Sequence, residues 1–236
     1  VSGDPGQVWR VGYEPDPWEW VDWQYAFDNG RFNGRWDDQE ASFRTLYTAE
    51  LLLGCFLELL ASARPNDVAF AELEEIEDDD NAVAVYPDPE RGAVGMTWLD
   101  NRLYGRAQQT GTYAEVTHTQ ALACLVDGGV FDRRGIAPRD VDVSLLKDPK
   151  QRDLTRSVSR FLFNLRDATS LHPAVDGIAF RSRMGDDIRM WAVFERGDEA
   201  VSEHITPETE HHRVTEENED LLQAFTLLGL HWKREI

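Results

Sequence analysis

Hydrophobic and polar positions follow two periods along this chain, and the switches between them mark out its elements. In Gln7–Tyr13 (QVWRVGY), Val8, Arg10 and Gly12 fall on one face and Trp9, Val11 and Tyr13 on the other, the two-residue period of a strand. A second strand is expected over Phe43–Ala49 (FRTLYTA). Ala49–Ser62 (AELLLGCFLELLAS) is apolar on nearly every side, as in a buried helix, and ends near Pro65. A helix is expected within Tyr113–Asp127, and another over Asp153–Ala168, where Leu154, Val158, Phe161, Leu162 and Leu165 share one face. A last helix over Glu216–Leu230 has an acidic first turn that suits its dipole. Ala82–Gly105 reads as strand, turn, then strand or loop. Val141–Asp148 reads as a strand running into a turn, and Val175–Glu195 as two strands around Met184-Gly185-Asp186-Asp187. The mixture predicts an α+β fold in one domain spanning residues 1–236, with no internal repeat or linker.

Three tracts break the periodicity. Glu14–Ser42 is rich in Trp, Gly, Asn and Asp, with turn signals at Asp28-Asn29-Gly30 and Phe32-Asn33-Gly34. A loop so long and aromatic is expected to serve function. Phe70–Ala82 is strongly acidic and reads as a solvated face or loop, as does the charged tract Thr206–Asn218 with His211 and His212.

Composition narrows the function classes. A chain of 236 residues with 42% hydrophobic content can bury a core without a disulfide or metal staple. The formal charge of −20 opposes nucleic-acid phosphates, so no direct DNA or RNA contact is expected. That charge serves solubility or a basic partner, and local arginines can still reverse the field for a small anionic ligand. Cys55 reads as a small buried hydrophobe, and neither cysteine belongs to a cluster with metal-ligand spacing, so no metal is expected. No apolar run is long enough to span a bilayer and no signal peptide is visible, so the expected setting is cytoplasmic, without membrane contact. A phosphate loop, a nucleophile elbow and a dinucleotide glycine fingerprint are all missing from the sequence.

The anomaly is Glu58, a carboxylate within the most apolar helix. Gly54 lies one turn before it on the same face, and its missing side chain could leave room for a ligand. Glu58 could equally sit on a narrow exposed edge of a core helix. Nearby segments supply Arg10, Arg31, Arg35 and Arg44, whose forks suit phosphate groups, with the flat rings of Trp36 and Tyr47 beside them.

The ordered set of Arg10 in VWRVGY, Arg35 in GRWDD, Tyr47 in LYTA, Glu58 in the following helix and Ser182 in DGIAFRSR resembles the RES domain family, as does the closing strand MWAVFE. The similarity runs from about Gln7 to Glu195. Arg31 in GRFNG also follows a glycine and competes for the motif position. Arg35 is preferred for its Trp and its shorter distance to Tyr47. The resemblance implies an ADP-ribosyltransferase-like mixed β-sheet core with flanking helices. The chain departs from the compact pattern of that family by an enlarged N-terminal loop, an acidic insertion around 66–115 and a C-terminal helical extension. The resemblance also implies cleavage of the nicotinamide–ribose bond of NAD, with NAD as substrate and no cofactor, in a growth-inhibiting toxin partnered by a helix-turn-helix antitoxin. Glu58, Arg35 and Tyr47 would then be catalytic, and Arg10, Arg31, Arg35, Tyr47 and Ser182 would hold NAD, with Ser182 bonding either the nicotinamide end or the acid itself. Protein ADP-ribosylation, or an inactive nucleotide- or partner-binding module, are the rival readings. His118 has no role in this scheme.

Overall fold

A computed structural model describes residues 1–26, 30–65 and 91–233. The acidic tract Phe70–Ala82 and most of the Asp28–Gly30 turn lie outside the described residues. The strands are β1 (Gly6–Tyr13), β2 (Thr45–Ala49), β3 (Ala93–Val94), β4 (Arg102–Gln109), β5 (Tyr113–Glu115), β6 (Gly177–Ser182), β7 (Gly185–Phe194), β8 (Ile205–Arg213) and β9 (His231–Trp232). The described helices are α1 (Leu52–Leu60), α2 (Thr119–Asp127), α3 (Val143–Lys147), α4 (Arg152–Asn164) and α5 (Glu219–Leu228). Seven strands form one sheet in the order β5-β6-β7-β2-β1-β4-β8, and β3 pairs with β9 apart from it. Within the main sheet only β5 and β6 run parallel. This is an α+β architecture around a mixed sheet.

The strand period sorts side chains between two cores. On β7, Ile188, Met190, Ala192 and Phe194 face the larger core, while Trp191 and Val193 face the smaller one. The helices supply the larger core, including Phe56 of α1, Leu125 of α2, Leu146 of α3, Val158 of α4 and Phe225 of α5. On the other face Val8, Leu46, Ala107 and Trp191 are covered by Trp18 and Trp20. Two tryptophans of the long N-terminal tract are thus a structural lid over the sheet. Burying aromatic rings of this size stabilises by a few kcal/mol each. Gly12 and Gly105 permit that lid: a Cβ at Gly12 would lie 2.6 Å from the Pro17 carbonyl oxygen, and one at Gly105 2.9 Å from the Trp18 indole nitrogen.

Three stretches differ from the sequence expectation. Val141–Asp148 is not a strand. Its core is the helix α3, because Asp142 caps it by accepting from the Ser144 and Leu145 amides. The charged tract after Ile205 contains the edge strand β8, whose exposed polar residues satisfy an outer sheet position and discourage pairing with other chains. Within 66–115, residues 66–90 lie outside the described residues, whereas β4 and β5 are main-sheet strands. His118 caps α2, its Nδ1 accepting from the Gln120 amide at 3.3 Å.

One ion pair ties the start of β6 to β8. His204 Nε2 lies 3.3 Å from Asp176 Oδ1. The hydrogen bond to Asp176 raises His204 from 6.5 against the opposing effect of burial. Burial alone would raise Asp176, but the bonds from His204 and the Thr112 amide hold it below 3.8. The histidine's contribution is full below 6.5 and fades as pH rises through its raised value. The aspartate's is full above 3.8 and fades as pH falls through its lowered value. Thermal melts from pH 5 to 8 should therefore show wild type losing its advantage over His204→Asn as pH climbs. An advantage that does not change with pH would show that the pair adds no stability.

Candidate active site

The central strands diverge. Strands β1 and β2 share one registered pair, Trp9 opposite Ala49. Past it β1 stays with β4 and β2 stays with β7. A cleft of about 520 Å³ opens at this divergence. It is lined by Arg10 to Tyr13 of β1, Thr45 and Tyr47 of β2, Glu58 of α1, the turn Gly34–Arg35 and the stretch Lys147–Pro149.

Glu58 reaches the cleft because α1 turns its apolar sides inward. Leu52, Gly54, Cys55, Phe56, Leu57 and Leu60 are buried, Glu58 is half-buried and Leu59 is exposed. The Gly54 gap holds no ligand space. A Cβ there would lie 2.8 Å from Ile188 Cγ2 and 3.3 Å from Ala49 Cβ, so the glycine lets α1 settle against the sheet. Cys55 also faces inward. Its thiol donates to the Trp9 carbonyl at 3.4 Å, and burial pushes it up to about 12, which removes it as a nucleophile at neutral pH.

Behind Glu58 sits Ser182. Its hydroxyl donates to Glu58 Oε1 at 2.5 Å, and its oxygen accepts from the Met184 amide at 2.9 Å. Ser182 is 1% exposed and does not line the cleft. Of the two partners expected for this hydroxyl, the nicotinamide end and the acid, the structure places it on the acid.

Arg35 stands on the turn Gly34–Asp38, which Asp37 organises. Asp37 is buried, and its carboxylate accepts from the Gly34 amide, the Thr45 hydroxyl and the Tyr47 hydroxyl, the last at 3.2 Å. Burial raises the Asp37 carboxyl, opposed by those three donors and by the charge of Arg156. Tyr47 accepts from the Trp36 amide at 2.8 Å while donating to Asp37, and burial raises its phenol well above 10.0. Its ring lines the cleft while its hydroxyl fixes the turn. Arg35 itself donates to the Leu146 carbonyl, and its guanidinium carbon lies 5.2 Å from the Trp36 ring centroid. Burial lowers the Arg35 guanidinium from its ordinary value, and the charge of Glu58 is the largest effect restoring it. These two groups thus share one electrostatic site.

Arg10 donates to the Pro17 carbonyl and, at 3.1 Å, to the Tyr47 carbonyl, spanning the gap between the diverging strands. Burial pulls it down to about 10, which leaves it charged at neutral pH. Arg31 does not line the cleft, and its Nη1 lies 3.4 Å from the Gln39 carbonyl oxygen. The position in the cleft therefore goes to Arg35.

The strap that holds this turn is α4. Ser159 donates to the Trp36 carbonyl at 2.5 Å and Arg156 to the Phe32 carbonyl at 2.7 Å. Arg160 donates to Asp38 at 2.9 Å and to Ser42 at 2.7 Å. Arg152, Thr155, Arg156, Ser159 and Arg160 follow helical spacing on a polar face of α4, with Arg152 and Thr155 lining the cleft. The apolar stripe of this helix was visible in the sequence. Its polar stripe is the signal that could have led to the strap.

The cleft inverts the field of the chain. Seven cationic side chains line it (Arg10, Arg35, Arg44, Arg102, Lys147, Arg152 and Arg183) against the carboxylates of Asp37, Glu58 and Asp148, with Arg44 and Lys147 also paired to Glu195 and Asp186. The whole chain carries −20. Such a site favours an anionic ligand at its wall of arginines while keeping one carboxylate, Glu58, beside them.

A RES domain family model matches residues 7–215. No curated protein and no solved structure matches the chain. Among the described residues no helix is long and apolar enough to cross a membrane.

Proposed function

Because the chain belongs to the RES domain family, whose character is NAD-related and toxin-like, we propose that it cleaves the nicotinamide–ribose bond of NAD. The observation that carries this reading is the cleft itself: a half-buried carboxylate, locked by Ser182, set in an arginine-rich wall of a chain with charge −20.

NAD offers a pyrophosphate for the arginines and a positively charged pyridinium for the acid. Arg35 and Arg10 hold the phosphates, and the Tyr47 ring packs against the nicotinamide riboside. As the glycosidic bond breaks, its electron pair goes to the pyridinium nitrogen and nicotinamide leaves neutral. The ribose anomeric carbon is left as an oxocarbenium-like centre, and Glu58 stabilises that charge. Water then attacks this carbon and loses a proton, giving ADP-ribose. Inorganic phosphate in place of water gives the 1-phosphate of ADP-ribose. Holding both halves of the dinucleotide supplies the positioning part of the rate. In a cell this activity depletes NAD and arrests growth, with a helix-turn-helix antitoxin as its partner.

Purified protein incubated with NAD, with and without inorganic phosphate, should release nicotinamide and form one of these two products. Labelled ADP-ribose on protein instead would support transfer to a side chain. Production in cells should lower NAD and stop growth, and normal growth of cells making soluble, correctly folded protein would refute the toxin role. Ser182→Ala should lower kcat about tenfold and move KM less, because it frees the acid without touching the arginines. It should also remove about 1.5–3 kcal/mol of stability, the worth of a hydrogen bond to a charged group. Steady-state kinetics and a thermal melt check both.

A further inference from the structure

One part of the cleft has no place in the bond-breaking scheme. At the end of β1, Tyr13 pairs in register with Arg102 of β4, and both line the cleft. The Arg102 guanidinium carbon lies 4.6 Å from the Tyr13 ring centroid and 4.3 Å from that of Trp98, a ring–cation–ring stack. Its Nε donates to the Trp98 carbonyl at 2.6 Å, which fixes the plane of the guanidinium. Trp98 in turn leans on Phe56 of α1, with centroids 6.3 Å apart, so the stack is anchored in the main core. Despite this support Tyr13 is 52% exposed. A rigid, cation-backed aromatic ring standing half in solvent at the edge of an anion-binding cleft is a surface for another flat ring.

We infer that Tyr13, backed by Arg102 and Trp98, is a stacking shelf for a purine base, and that it favours NAD over nicotinamide mononucleotide, which lacks that base. The inference rests on the NAD reading for the identity of the substrate, and it adds which residues hold the adenine end. Stacking tolerates any purine, whereas the arginine wall demands phosphate, so the minimal ligand is a purine nucleotide. A base stacked on an aromatic side chain is worth about 1–3 kcal/mol by truncation, or roughly 5- to 150-fold in binding.

The test compares wild type, Tyr13→Leu and Tyr13→Phe in two measurements. The first is the ratio of kcat/KM for NAD to that for nicotinamide mononucleotide, which lacks the adenosine. Tyr13→Leu should lower this ratio about tenfold, chiefly through a higher KM for NAD, and Tyr13→Phe should restore it. The second is calorimetric binding of AMP, which needs no catalysis. Leu should weaken AMP about tenfold and Phe should not. AMP binding that depends on Tyr13 in a protein that leaves NAD intact would uphold the shelf and overturn the NAD reading. NAD cleavage with a ratio unchanged in Tyr13→Leu would overturn the shelf alone. An absence of AMP binding to wild type would also overturn it.

Discussion

Glu58→Gln is expected to reduce nicotinamide release from NAD by about 10²–10³-fold while leaving the fold intact, the scale seen when a preorganised electrostatic group is removed from a developing charge. The amide keeps the shape of the acid and can still accept from Ser182, whose hydroxyl now meets Oε1. What is lost is the negative charge that the proposed mechanism sets beside an oxocarbenium-like centre. KM should change far less than kcat, because Arg10 and Arg35, the residues proposed to hold the phosphates, are untouched. The same substitution removes the largest charge effect that offsets the burial of Arg35. A small shift in nucleotide affinity is therefore expected alongside the loss of rate. Full activity in Glu58→Gln would remove Glu58 from the mechanism, whatever the substrate.

Asp37→Ala is expected to damage both stability and substrate binding. Its carboxylate is the common acceptor for the Gly34 amide and for the Thr45 and Tyr47 hydroxyls, and it is buried. Truncation leaves these donors facing a small cavity, at a cost of about 1–3 kcal/mol for each one that stays buried and unsatisfied. Some of that is relieved where water enters from the cleft. A total near 3–4 kcal/mol would lie among the larger single-residue effects. The turn that carries Arg35 loses its anchor, so KM for NAD should rise more than tenfold. Tyr47→Phe should do less, because Asp37 keeps its bonds from Gly34 and Thr45. Gly34→Ala reaches the same network from the other side, since a Cβ there would stand 2.5 Å from both Asp37 Oδ2 and the Tyr47 hydroxyl. Denaturant melts and steady-state kinetics on these variants would separate turn anchoring from bulk stability. An Asp37→Ala protein with wild-type KM would show that the turn does not position Arg35.

Most of the sheet was readable because its strands bury both faces with large side chains. Strands β2, β6 and β7 fall inside the segments expected from alternation and apolar content, and β1 begins one residue before its segment, at Gly6. Strand β4 hid its inward face behind Gly105, Ala107 and Gln109, and β8 hid because an edge strand can be charged almost throughout. Val141–Asp148 misled because a short apolar run carries no clear period, and the Asp142 cap decided for helix.

The candidate site was legible for a different reason. Arg10, Arg35, Tyr47 and Glu58 lie close together in the sequence, in a recognisable order, and the structure brings all four to one cleft. Gly54 suggested a pocket by a false route, since Ile188 fills the space beside it. Asp37 went unseen because an acid three to ten positions from its partners reads as an ordinary turn residue, and Arg156, Ser159 and Arg160 because their work is done at long range. Ser159, for example, reaches Trp36 across 123 positions of sequence. Polar groups that strap a loop look like ordinary helix surface until the partner is in place. Tyr13 likewise reads as the last residue of a strand until Arg102 is set against its ring.

A chromatographic time course of nicotinamide formed from NAD by the purified wild-type chain tests the proposed bond cleavage itself. A cleft built to break the nicotinamide–ribose bond releases nicotinamide over many turnovers, matched mole for mole by ADP-ribose or, with phosphate present, by its 1-phosphate. NAD recovered intact from folded protein, with and without phosphate, would contradict it.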